Sequence, residues 1–199
     1  MFSAISESIT KKLEEAHAIK SEDREIYLYG VKQGLTILLN LITICAIGIV
    51  SKMLWQSILF MAAYIPLRSC AGGYHAKTPV RCYVFSIILI FAVVLAMKYV
   101  HFTVFICSIM IVGSSIVILC LAPVEDKNKS LDAEEQKVYR KRTYLIWAAE
   151  LAVAIICFCL QRISPAVCLT MTFLVMAAML VLGKMKNIFC LLYTSDAAD

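Results

Sequence analysis

A histidine and a cysteine, His75 and Cys82, stand seven residues apart in the segment Arg68-Ser-Cys-Ala-Gly-Gly-Tyr-His-Ala-Lys-Thr-Pro-Val-Arg-Cys82. A thiolate can attack a carbonyl while a nearby imidazole serves first as base and then as acid, so the pair suits nucleophilic acyl transfer. On one unbroken helix their backbones would lie about 10 Å apart, too far for a direct hydrogen bond. Thr78-Pro79 resolves this, because it reads as the start of a new helix with the threonine hydroxyl as N-cap and proline at the first helical position. Cys82 then falls in the first helical turn or just past it. There the positive end of the helix dipole, with Arg68, Lys77 or Arg81 nearby, favours thiolate over thiol. His75, in the preceding turn, can fold back toward the sulfur.

Gly72 and Gly73 permit positive φ and close approach of other groups, as a compact turn beside a site requires. Spacing alone also fits a plain turn carrying an exposed histidine and one more cysteine, because no third orienting group is evident. Two ligands fall short of the usual three or four of a metal site, so neither metal nor cofactor is expected. Cys70 is another thiol of the segment, but it lacks the helix-start context.

The elements that must hold this loop are apolar. The chain of 199 residues is 61% hydrophobic and 17% charged, with a mean hydropathy of +0.83, far above ordinary soluble domains. Apolar runs cover Leu35 to Val50, Met53 to Leu67, Tyr83 to Met97, Phe102 to Ala122, Tyr144 to Leu160 and Ala166 to Gly183. They lack the alternation of spanning strands, so the expected fold is an all-α polytopic membrane protein with six hydrophobic segments. The first two runs are short, and four full spans plus a shallow re-entrant hairpin is the alternative. No secretory signal peptide is expected, since 34 mostly polar residues precede the first run.

Under a six-span arrangement 16 of the 19 Lys and Arg residues fall on one side, leaving Lys52, Lys98 and Arg162 on the other. Basic loops stay inside during insertion, which puts the N-terminus and the loop 68–82 in the cytosol. The net charge of +5 thus reflects topology, and nucleic acid is not an expected partner. Among the nine cysteines, Cys45, Cys107, Cys120, Cys157, Cys159 and Cys168 lie inside apolar runs and read as small packing residues. Glu150 is an acid within the fifth run and therefore a functional candidate, with Arg162 or a lipid headgroup as competing explanations.

Three regions follow. Residues 1–34 hold an amphipathic helix in which Phe2, Ile5, Ile9, Leu13 and Ala16 share a stripe, suited to the membrane interface, to a partner helix or to the protein's own face. Residues 35–189 form one membrane domain with the loops 68–82 and 123–143, the latter ending in the basic cluster Arg140, Lys141 and Arg142. The tail 190–199, CLLYTSDAAD, departs abruptly from what precedes it and resembles a translated sequencing adapter, so it is expected to be non-native.

The loop resembles the accessory gene regulator B family, membrane cysteine endopeptidases that mature quorum-sensing pheromone precursors in Gram-positive bacteria. An arginine, then Gly-Gly-x-His, then Thr-Pro, then the cysteine seven residues after the histidine carry the likeness. Weaker support comes from Ala122-Pro123 with Asn128-Lys129-Ser130-Leu131, which has serine where proline is usual. The resemblance implies catalytic roles for His75 and Cys82 and supporting ones for Arg68 and Gly73, with Gly72 a supporting candidate from the turn itself. It also implies cleavage of a precursor through a thioester on Cys82, which a precursor thiol resolves into a cyclic thiolactone. The implied setting is the bacterial plasma membrane. Expected partners are the precursor peptide, membrane lipid and a second copy of the chain as one option. A non-enzymatic transporter or scaffold is the competing class.

Overall fold

The computed structural model describes residues 2–16, 18–74, 78–125 and 132–195. Its elements are helices α1 (Phe2–Glu15), α2 (Arg24–Val50), α3 (Leu54–Ala71), α4 (Pro79–Tyr99), α5 (Val104–Leu121), α6 (Ala133–Cys159) and α7 (Ile163–Ser195), with one 3₁₀ turn at Ser21–Asp23. No strand occurs among the described residues, only an isolated parallel bridge between Gly72 and Val124. The all-α expectation holds.

Helices α2, α4, α5, α6 and α7 are long and apolar enough to cross a bilayer. The first apolar run is therefore not short. It is the second half of a 27-residue helix that starts at Arg24 and spans about 40 Å at 1.5 Å per residue. The polar start of α2 hid that length, and it carries the helix across the 34/35 division drawn from composition. Helix α3 has 18 residues with Pro66 inside it and Arg68 in its last turn, and it pairs with α2 through the tight connection Ser51-Lys52-Met53.

Helix α7 is the centre of the bundle, with 78% of its most apolar window buried. Phe173, Met176 and Leu180 on α7 are fully enclosed and pack with Phe60 and Leu67 of α3, Cys107 and Ile118 of α5 and Ala154 of α6. Helix α4 meets this core at Val93, with Phe85 and Leu89 packed against it. It packs chiefly on α2, where Ile44, Ile90 and Val94 form a separate buried cluster. Thr43 Oγ1 donates to Leu39 O at 2.9 Å, so the Tyr83 hydroxyl is the donor in its 2.7 Å contact with Thr43 Oγ1. That bond fixes the rotation of α4 one residue from Cys82.

Helix α1 folds back on α2, with Arg24 Nε 3.4 Å from Glu14 Oε2. The face it turns inward carries Ser6 and Thr10, both fully buried, while Ile5 and Ile9 of the apolar stripe stay 40% and 37% exposed. Packing of that stripe on the protein's own surface is thus only partial.

Candidate functional site

Helix α4 begins as its sequence dictates. Thr78 is the N-cap with φ −132° and ψ 148°, and its Oγ1 accepts from Arg81 N at 3.3 Å. Proline follows at once. Cys82 N–H donates to Thr78 O at 3.0 Å, closing the first helical turn and leaving the half-buried thiol at the positive end of the helix.

On the other side of the loop, α3 ends at Ala71 and the chain turns through Gly72 at φ +72° and Gly73 at φ +111°. Both lie in the left-handed region that a side chain resists. Arg68 sits one turn back on α3 and donates through Nη1 to Gly72 O and through Nη2 to Tyr74 O. One planar guanidinium thus holds two successive bends of the loop, a task for which its fork is shaped.

The loop is also seated on the bundle. Gly73 N–H donates to Val124 O at 3.2 Å, Tyr74 N–H to Met179 O at 2.9 Å, and Val124 N–H to Ala71 O at 2.9 Å. Asn187 Nδ2 donates to Glu125 O at 2.8 Å, tying the segment after α5 to α7. The Tyr74 ring lies 5.4 Å from that of Phe85, and Lys186 Nζ stands 5.6 Å from its centroid. Tyr74 is therefore fixed at both backbone groups and at its ring.

Between α3 and α4, with α2 as the back wall, lies a cavity of about 210 Å³. Cys82, Arg68, Tyr74 and Tyr64 line it, and its depth is formed by apolar side chains including Ile44, Phe60 and Ile90. From Arg68 to Phe60, or from Cys82 to Ile90, is eight helical residues, about 12 Å. Ile37, Leu41 and Ile65 also line it and are 49%, 42% and 41% exposed, so the cavity reaches the outer surface of the helices.

The candidate residues divide as follows. Arg68, Gly72, Gly73 and Cys82 come together around one loop. His75, with Ala76 and Lys77, lies outside the described residues, as do Asn128 to Leu131 of the second loop. Glu150 is on α6, no residue of which lines the cavity. Its Oε2 is buried without a hydrogen-bond partner, and it forms no ion pair with Arg162 among the described residues. No group of three metal-ligating side chains occurs among those residues. Tyr64 and Gly183 belong to the site and were missed by sequence reasoning. Tyr64 falls four residues before Arg68, and that shared helical face was the available signal. Gly183 had none.

A family model for accessory gene regulator B matches residues 6–182. The chain belongs to the AgrB family. It is 26% identical over 149 residues to an AgrB-like protein of Clostridium perfringens strain SM101, covering 71% of this chain and 70% of that one. The same figures relate it to AgrB-like protein 2 of Clostridium perfringens strain 13. No solved structure matches. Membership ties the chain to the accessory gene regulator quorum-sensing system and agrees with a membrane protein that takes part in processing.

Proposed function

We propose that this AgrB protein is a cysteine endopeptidase of the bacterial plasma membrane that cleaves a pheromone precursor peptide at its cytoplasmic face. The observation that carries the reading is the convergence of the capped helix start holding Cys82 and the Arg68-fixed turn ending at Tyr74 on one cavity. His75 follows Tyr74 directly in the sequence.

In this mechanism the Cys82 thiolate adds to the carbonyl carbon of the scissile peptide bond. The C–N bond breaks as His75 delivers a proton to the departing amine, and the acyl group remains on sulfur as a thioester. A thioester lies uphill from an amide, so water must be kept from it, and the apolar cavity beneath Cys82 serves that end. A thiol of the bound precursor then attacks the thioester, forming the thiolactone and freeing Cys82. Exchange of one thioester for another is close to isoenergetic, so positioning of the attacking thiol governs the rate.

The exposed Ile5 and Ile9 stripe of α1 suits a helix lying in the membrane interface beside an amphipathic substrate. Co-expression of a candidate precursor with Cys82→Ala and His75→Ala variants tests the proposal. Loss of cleavage in both is expected, and undiminished cleavage in both removes it. A transporter or scaffold would be indifferent to Cys82.

A further inference from the structure

Addition of a thiolate to a carbonyl moves an electron pair onto oxygen, and an endopeptidase must meet that charge with hydrogen-bond donors. Around Cys82 most donors are committed. Cys82 N–H is bonded to Thr78 O, Gly73 N–H to Val124 O and Tyr74 N–H to Met179 O. Arg81 N–H is taken by the Thr78 cap. Arg68 holds Gly72 O and Tyr74 O, Ser86 Oγ donates to Cys82 O at 3.0 Å, and Asn40 is engaged as well.

Tyr64 is different. Its side chain is 9% exposed on α3 and lines the same cavity as Cys82. Its ring is stacked on Phe60 with centroids 5.5 Å apart, which fixes its direction. Arg68, one helical turn further along α3, lines that cavity too. The Tyr64 hydroxyl donates no hydrogen bond among the described residues, yet it is not a sealed polar atom. Tyr74, the other phenol on the wall, turns its ring to Phe85 and Lys186.

Resting on the endopeptidase reading, we infer that the Tyr64 hydroxyl is a catalytic donor that binds the oxyanion formed at the carbonyl under attack by Cys82. When the Sγ–C bond forms, the π pair of the carbonyl passes to oxygen, which accepts the Tyr64 O–H. When the tetrahedral adduct collapses the pair returns, the C–N bond breaks and the amine takes its proton, while Tyr64 keeps its own. The second half of the reaction, attack of the precursor thiol on the thioester, forms a second oxyanion on the same carbonyl oxygen, uses the same donor and collapses by expelling the Cys82 thiolate.

The test is cleavage of a synthetic precursor by the full-length protein in lipid vesicles. Tyr64→Phe keeps the ring and its stack on Phe60 and removes only the hydroxyl, so kcat should fall about 10²-fold with KM little changed. Alkylation of Cys82 should proceed as in the unsubstituted protein. Difluorotyrosine at position 64 keeps both ring and hydroxyl while making the phenol more acidic. The basic limb of the pH–kcat profile should then begin at lower pH, a shift that a packing role would not produce. Full kcat in Tyr64→Phe, or an unmoved basic limb, overturns the assignment. Should Cys82→Ala cleave as well as the unsubstituted protein, the endopeptidase reading itself fails. A dead Cys82→Ala beside a fully active Tyr64→Phe sinks the oxyanion role alone.

Discussion

Gly183 on α7 lies against Gly73 of the site loop so closely that a Cβ on Gly183 would stand 2.7 Å from Gly73 C and from Tyr74 N. The loop rests on a helix that offers no side chain at the point of contact, and Met179 O, one turn earlier, accepts from Tyr74 N. A buried helix thereby sets the height of the turn from which residue 75 departs. Gly183→Ala should lift that turn while leaving the membrane helices assembled. Cleavage should fall at least about tenfold, consistent with the sensitivity of positioned groups to displacements of an ångström. Expression and detergent-solubilised size should match the unsubstituted protein.

Gly73→Ala should be harsher. At φ +111° a side chain is strained, and its Cβ would meet Met179 O at 2.8 Å as well as Arg68 Nη1. Near-complete loss of cleavage is expected, together with faster limited proteolysis between α3 and α4, because the Arg68 clasp would open with the turn.

Arg68→Lys separates charge from geometry. Lysine keeps the positive charge near Cys82 but cannot reach two separate carbonyls with a rigid fork. If Arg68 works by holding Gly72 O and Tyr74 O, Lys should lose most of the activity that Ala loses, with kcat reduced about 10-fold or more. Activity close to that of the unsubstituted protein in Arg68→Lys would assign the arginine to electrostatics alone.

The helix start supplies a graded test. Thr78→Ala removes the cap on Arg81 N and should cost about 1 kcal/mol of local helix stability. Amides of the first turn of α4 should exchange faster, and Cys82 alkylation should slow as the thiol loses its ordered place at the helix end. Thr78→Ser should restore both.

Legibility of these features in the sequence follows the range of the forces involved. The capped start of α4 was readable because N-cap and N1 preferences act within four residues. The apolar runs were readable because lipid demands them, yet the length of α2 was not. Tyr27, Tyr29 and Lys32 interrupt its hydropathy, although the backbone hydrogen bonds of the helix do not depend on side-chain polarity. The Gly-Gly turn was visible as a turn, whereas its partners Val124 and Met179 are about 50 and 105 residues away and leave no local trace. The cavity depends on α4 packing on α2 more than on α3, a tertiary preference that no single helix encodes.

The most direct measurement is identification of the covalent intermediate. The full-length protein in lipid vesicles is given a precursor whose cyclising thiol is replaced by a group that cannot attack, and the quenched mixture is mapped by mass spectrometry. The account predicts the N-terminal precursor fragment attached to Cys82 through a hydroxylamine-labile thioester, absent from Cys82→Ser and from His75→Ala. An adduct on Cys70 in place of Cys82, or cleavage with unchanged yield in Cys82→Ser, would contradict it.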